Sequence, residues 1–191
     1  FTFLIQHTEG ELPVPDKFPK SSVHKLDHVV INTNDPDGFI EVYENIYGLR
    51  LALDQTVEKW GGRMLFFRLN QTTIEVIGKK DDREIEDKLW GLAWDVEDLK
   101  ATHKRLSQEG FDFGSVSFGE GTDFDGEKVR RWKNLFLPDD LTRGLFTFLI
   151  QHTEGELPVP DKFPKSSVHK LDHVVINTND PDGFIEVYEN I

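Results

Sequence analysis

Hydrophobic and polar residues alternate over residues 26–32 (LDHVVIN), with Val29 and Ile31 on one face and Leu26, His28 and Val30 on the other. That period of two is the pattern of a β-strand. Asn34, Asp35 and Pro36 then supply a helix N-cap with proline near the first turn, and Phe39, Ile40, Tyr43, Ile46 and Tyr47 recur at helical spacing up to Gly48. Three β-like runs follow, over residues 51–58, over 63–69 after Gly61-Gly62, and over 72–78 after a turn at Asn70-Gln71. A polar stretch, residues 79–88 (KKDDREIEDK), separates this βαβββ series from a second one. The second has a strand at 89–96, an N-cap at Asp98, a helix carrying Leu99, Thr102, His103 and Leu106 that ends at Gly110, and candidate strands at 113–118, 128–137 and 146–152. Leu26 and Leu89, Asp35 and Asp98, and Tyr43 and Leu106 are each 63 residues apart, which makes the two halves a degenerate internal repeat.

A second repeat is of another kind. Residues 1–46 recur without a single change as residues 146–191, an offset of 145. Packing conserves only the hydrophobic pattern of a repeat, so identity that includes every surface residue points to a recent or deliberate duplication. The chain divides accordingly into a duplicated last strand and Pro-rich linker (1–22), one domain (23–152, with modules 23–80 and 89–152), a linker (153–167), and a duplicated first strand and helix of module one (168–191). Residues 47–145 occur once, so one domain can be completed either as 23–152 or as 47–191. The first frame is expected, because it runs the first helix unbroken into Tyr47-Gly48. Its spare apolar elements are then expected to seek partners, and self-association through the duplicated segment, as a swapped dimer or chain of molecules, follows.

Composition narrows the chemistry. Without cysteine there are no disulfides, thiolate metal sites or cysteine nucleophiles, so any metal must be held by His, Glu, Asp or Gln. The net charge of −13, or −8 with one copy of the repeat discounted, argues against nucleic acid and anionic membranes as partners. No apolar run approaches the ~20 residues that span a bilayer, and a cytoplasmic location is the default expectation.

Two βαβββ series, with LDHVVI opening the first and TTIEVIG closing it, resemble the vicinal oxygen chelate superfamily of glyoxalase I, extradiol dioxygenases and bleomycin- and fosfomycin-resistance proteins. The junction RGLFTFLIQH, a Pro-rich linker and HKLDHVVI is similar to that between successive domains of tandem glyoxalase-like proteins. The resemblance implies an α+β fold whose tandem modules form a glyoxalase-like curved sheet or pair of half-barrels. It also implies a divalent ion (Fe, Mn, Ni or Zn) bound from the first and last strands of each module. His28 and Glu75 then stand at the ligand positions of module one. The residues agree in part: Glu75 lies between apolar Ile74 and Val76, where a carboxylate is costly unless paired or metal-bound, and imidazole with carboxylate suits such ions. A solvated Glu75 and a core His28 are the competing readings. In module two the residue 63 on from His28 is Gly91, which offers no ligand. The last strand places Leu149 opposite Glu75 in one register, with Gln151 on the same face as a weak third ligand or an edge residue, and His152 on the other.

Phe66, Arg68, Trp94 and Trp132 are candidates to line a cavity for a small organic ligand, although large aromatics in strands also serve as core. Arg130 and Arg131 suit a carboxylate or phosphate, or serve as strand-edge charges. Three functions remain open. One is a metal-dependent glyoxalase-like lyase, isomerase or dioxygenase with no assignable general base. The second is a non-catalytic module of the same fold that sequesters a ligand. The third is an engineered duplication or permutation without activity of its own.

Overall fold

In the computed structural model of the protein, residues 4–10, 22–59, 61–81, 83–122, 128–155, 168 and 170–190 are described. The expected linker at 153–167 and residues 1–3 of the expected leading strand fall largely or wholly outside them; residues 4–8 join no strand. The fold is α+β, with eight strands in one curled sheet of order β2-β3-β4-β1-β5-β8-β7-β6. In chain order these are β1 (Val23–Thr33), α1 (Pro36–Ile40) running into a π-helical turn (Glu41–Ile46), β2 (Arg50–Val57), β3 (Gly62–Leu69) and β4 (Thr72–Gly78). Then come β5 (Asp87–Val96), α2 (Leu99–Gln108), β6 (Ser117–Thr122), β7 (Val129–Phe136), β8 (Phe146–Glu154) and α3 (Pro181–Asn190). No helix among the described residues is long and apolar enough to cross a membrane.

The strand expected at 113–118 starts later. Phe111, Phe113 and Val116 pack against the core beneath α2, and pairing begins only at Ser117. Burial of two phenylalanines outweighs ladder bonds that water can replace.

At the centre of the sheet β1 runs antiparallel to β5, while β4 and β8 flank them in parallel. Alternation divides the side chains between two faces. On the helix-covered face Phe39 of α1 packs with Leu65, Phe67, Ile74 and Val76, and Leu99 and Leu106 of α2 pack with Val96, Leu135 and Leu149. On the inner, helix-free face Val30, Ala93, Phe148 and Ile150 form a third cluster with Ile77 and Trp132. Gly91 is required where β5 meets β8: a Cβ there would stand 2.3 Å from the Phe146 carbonyl oxygen.

The second copy of the duplicated segment joins no ladder over 170–178, and its helix α3 lies on the outer face of its own chain. Val187 is buried, Tyr188 meets the Trp94 ring edge-on at 6.4 Å, and its hydroxyl is 3.1 Å from Thr147 Oγ1. Asp180 pairs with Arg143. The apolar stripe that motivated the expectation of self-association is therefore partly covered within the chain.

Phe39 and Phe184 are the same residue of the two copies in different surroundings: Phe39 is 5 % exposed in the first core, whereas Phe184 is only half-buried. Phe39→Ala is expected to cost about 3–5 kcal/mol of unfolding free energy. Phe184→Ala should cost under about half of that, as urea denaturation of the two variants will measure.

Candidate functional site

Strand β1 carries one residue more than β5 where they cross: Leu26 pairs with Trp94 and His28 with Ala93, leaving Asp27 as a bulge. A bulge breaks the alternation, so two consecutive side chains reach the inner face. Asp27 and His28 thus sit side by side, with His28 Nδ1 2.9 Å from Asp27 Oδ2. The other ring nitrogen, Nε2, is 3.2 Å from Glu75 Oε2. Glu75 pairs with Val30 across the parallel β1–β4 ladder and comes to His28 diagonally. The second Asp27 oxygen, Oδ1, is 2.9 Å from His152 Nε2 at the end of β8. The result is a line of alternating carboxylates and imidazoles, Glu75, His28, Asp27 and His152. Asp95 stands close enough to Asp27 and His152 for the three to surround one cation, with Lys25 Nζ 3.7 Å from its carboxylate.

The sheet separates the sequence-derived candidates. His28 and Glu75 converge. Gln151 does not join them, because it lies on the outer face, where its amide donates to Glu97 O at 2.6 Å and accepts from Leu99 N at 3.3 Å. The error is one of register. Val30 pairs with Glu75, and the residue 63 on from Val30, Ala93, pairs with Phe148, so Phe148 rather than Leu149 matches Glu75. A slip of one residue inverts a strand, which turns Gln151 out and His152 in. Phe66, Arg68 and Trp132 share the inner face by alternation with core residues Leu65, Phe67 and Leu135 on the other. Trp94 does not line the inner face; it packs outward against the second core and Tyr188. Asp27 and His152 escaped the sequence reading because a regular strand hides a bulge. A carboxylate at residue 27 beside a histidine in an apolar strand was the available signal.

Burial raises the Asp27 carboxyl, but hydrogen bonds from His152 and His28 overcome that and hold it well below the usual carboxylate range. For His28 burial opposes the charge, yet Asp27 and Glu75 on its two nitrogens raise its pKa to about 9. Asp95 is raised, chiefly by burial. The metal-free site therefore holds His28 as an imidazolium against the Asp27 carboxylate at neutral pH.

The pH dependence follows from the directions. The raised His28 pKa contributes stability that is fully present below about 6.5 and is lost as pH rises through about 9. The lowered Asp27 pKa contributes stability present above about 4 and lost in more acid solution. With chelator present, the stability difference between the protein and His28→Gln should thus shrink by about 2–3 kcal/mol from pH 6 to pH 10, measured by urea denaturation at each pH.

No curated protein sequence matches the chain. Among solved structures it is similar to methylmalonyl-CoA epimerase from Mycobacterium tuberculosis, at 22 % identity and a TM-score of 0.52 over 71 % of this chain and 93 % of that one. It is also similar to a hypothetical protein from Bacillus halodurans, at 15 % identity and a TM-score of 0.51 over 70 % and 98 % of the two chains. At these identities the likeness establishes the fold. The family model of the glyoxalase-like domain matches residues 26–191, nearly the whole chain, and the protein belongs to that family.

Proposed function

We propose that the inner face of this glyoxalase-like domain, built as paired βαβββ modules, binds a small oxygenated ligand at one divalent ion held by His28 and Glu75. The observation that carries the reading is the convergence of His28 Nε2 and Glu75 Oε2 at 3.2 Å, the separation of neighbouring donors around an ion with bonds near ~2 Å. Asp27 supports it from behind: by accepting from Nδ1–H it would leave Nε2 as the nitrogen for the ion, which would take the place of the Nε2 proton that lies between His28 and Glu75 in the metal-free site. The donor set of imidazole and carboxylate suits Mn, Fe, Ni or Zn. When bound, the ion supplies Lewis-acid polarisation of paired ligand oxygens, the chemistry of a lyase, isomerase or dioxygenase. The chain's own residues orient the donors and, through Phe148 and Trp132, wall the ligand from water on one side.

A second reading, a non-catalytic module that sequesters its ligand, is favoured by a different observation. The positions that mirror His28 and Glu75 in the second half are Gly91 and Phe148, and the Phe148 ring meets the His28 ring edge-on at 5.2 Å. Those two positions supply no donor. In that reading the Glu75–His28–Asp27 ion pairs stay intact as structure.

Titration of chelator-treated protein with Mn²⁺ and Ni²⁺ separates the two. The metal reading expects one ion per chain, an affinity lowered at least tenfold by His28→Ala and by Glu75→Gln, and no change with Gln151→Ala. Absence of stoichiometric uptake, or uptake indifferent to His28, leaves the sequestering module as the function.

A further inference from the structure

Arg68 is 8 % exposed on the inner face of β3. One row of the sheet runs from Arg68 through Thr73 to His28, so the arginine and histidine are two strand spacings, ~10 Å, apart at Cα. Arg68 Nη1 donates to Thr73 Oγ1 at 2.7 Å, while its Nε is buried with no hydrogen-bond partner among the described residues. The nitrogen that Thr73 takes is on the Cδ side of the guanidinium. The edge left over is Nε with Nη2, whose parallel N–H groups match the two oxygens of a carboxylate.

The protein shows how that edge is used when a protein acid is within reach. Arg63 Nε and Nη2 each hold one oxygen of Asp54 at 2.6 Å. Among the described residues no acid lies against Arg68 in that way: burial disfavours its charge, Asp27 favours it through space, and Arg130 and Arg50 lie close enough to disfavour it. A buried guanidinium whose Nε is unpartnered, on the same face of the sheet as Glu75 and His28, is a donor without an acceptor.

We propose that Arg68 is the anion subsite of the inner face: its Nε–Nη2 edge takes the carboxylate of a small acid whose other oxygens lie toward Glu75 and His28. The ligand class is then oxygenated monocarboxylates, 2-oxo and 2-hydroxy acids among them. Arg68, with Arg50 and Arg130 near it, is set against the carboxylates of Asp27 and Glu75, which leaves about one net positive charge from these five groups and so matches one negative charge better than a dianionic phosphate. The placement of the ligand's other oxygens rests on the proposed function; the anion subsite itself does not.

The test is an NMR titration of ¹³C,¹⁵N-labelled protein, following the Arg68 Nε–H resonance, assigned in the wild-type protein through the carbons of its own side chain. The probes are pyruvate, its methyl ester and inorganic phosphate, each added first with chelator and then with Zn²⁺. Pyruvate is expected to shift the resonance saturably, the ester to leave it in place, phosphate to act only at higher concentration, and Arg68→Lys to weaken pyruvate binding at least tenfold. No saturable shift with pyruvate, an equal effect of the ester, or tighter binding of phosphate overturns the proposal, and the wild-type titration decides even if the lysine variant folds poorly. Pyruvate binding without uptake of Zn²⁺ would sink the metal reading and keep the subsite; Zn²⁺ uptake without a pyruvate shift does the reverse.

Discussion

The antiparallel crossing of β1 and β5 is the constraint from which the rest of the molecule follows. The pairing centres on Val29 and Leu92, 63 residues apart, and two of its three register shifts fall at equivalent places, with Asp27 the extra residue in β1 and Trp90 in β5; the third skips His24 near the start of β1. The two bulges turn neighbouring side chains to one face and deepen the twist that curls the sheet. In β1 the device delivers a carboxylate and an imidazole together. In β5 it frees Trp90 to stack on Phe146 at 4.6 Å with the rings 9° from parallel. One piece of backbone geometry thus serves chemistry in one half and apolar packing in the other.

Burying that chemistry is expensive, and the arrangement of partners is what makes it tolerable. Asp27 is 4 % exposed and would carry a heavy desolvation cost alone; it is offset by an imidazole on each oxygen. Removing either histidine would leave a charge in a low-dielectric environment, so the four residues Glu75, His28, Asp27 and His152 behave as one unit. Arg68, on the same face, keeps a buried Nε with no hydrogen-bond partner among the described residues.

The duplicated segment compares one sequence in two settings. In both copies the aspartate N-cap forms in the same way: Gly38 N donates to Asp35 Oδ1 at 3.2 Å and Gly183 N to Asp180 Oδ1 at 3.1 Å. The ring pairs Phe39–Tyr43 and Phe184–Tyr188 both stack at 4.1 Å. The helix backbone differs. The first copy widens into a π turn, with Leu49 N on Tyr43 O and Gly48 at φ 71°, to swing the chain into β2, whereas the second stays α-helical from Pro181 to Asn190. LDHVVIN is a central strand in the first copy and joins no ladder in the second.

Local chemistry therefore belongs to the sequence. The N-caps at Asp35 and Asp98, the helix faces and most strand positions were legible, since each rests on periodicity or on residues a few positions apart, and His28 and Glu75, singled out by resemblance, do converge. What the sequence left open was decided by contacts between distant segments. Register across the β5–β8 ladder chose Phe148 over Leu149 as the counterpart of Glu75, and with it His152 over Gln151. A bulge brought in Asp27, and outward packing withdrew Trp94. Which copy of LDHVVIN becomes β1 was likewise settled by tertiary structure, because a strand has no hydrogen bonds of its own: the ladder that defines it is supplied by β4 and β5, and only one copy can fill the place between them.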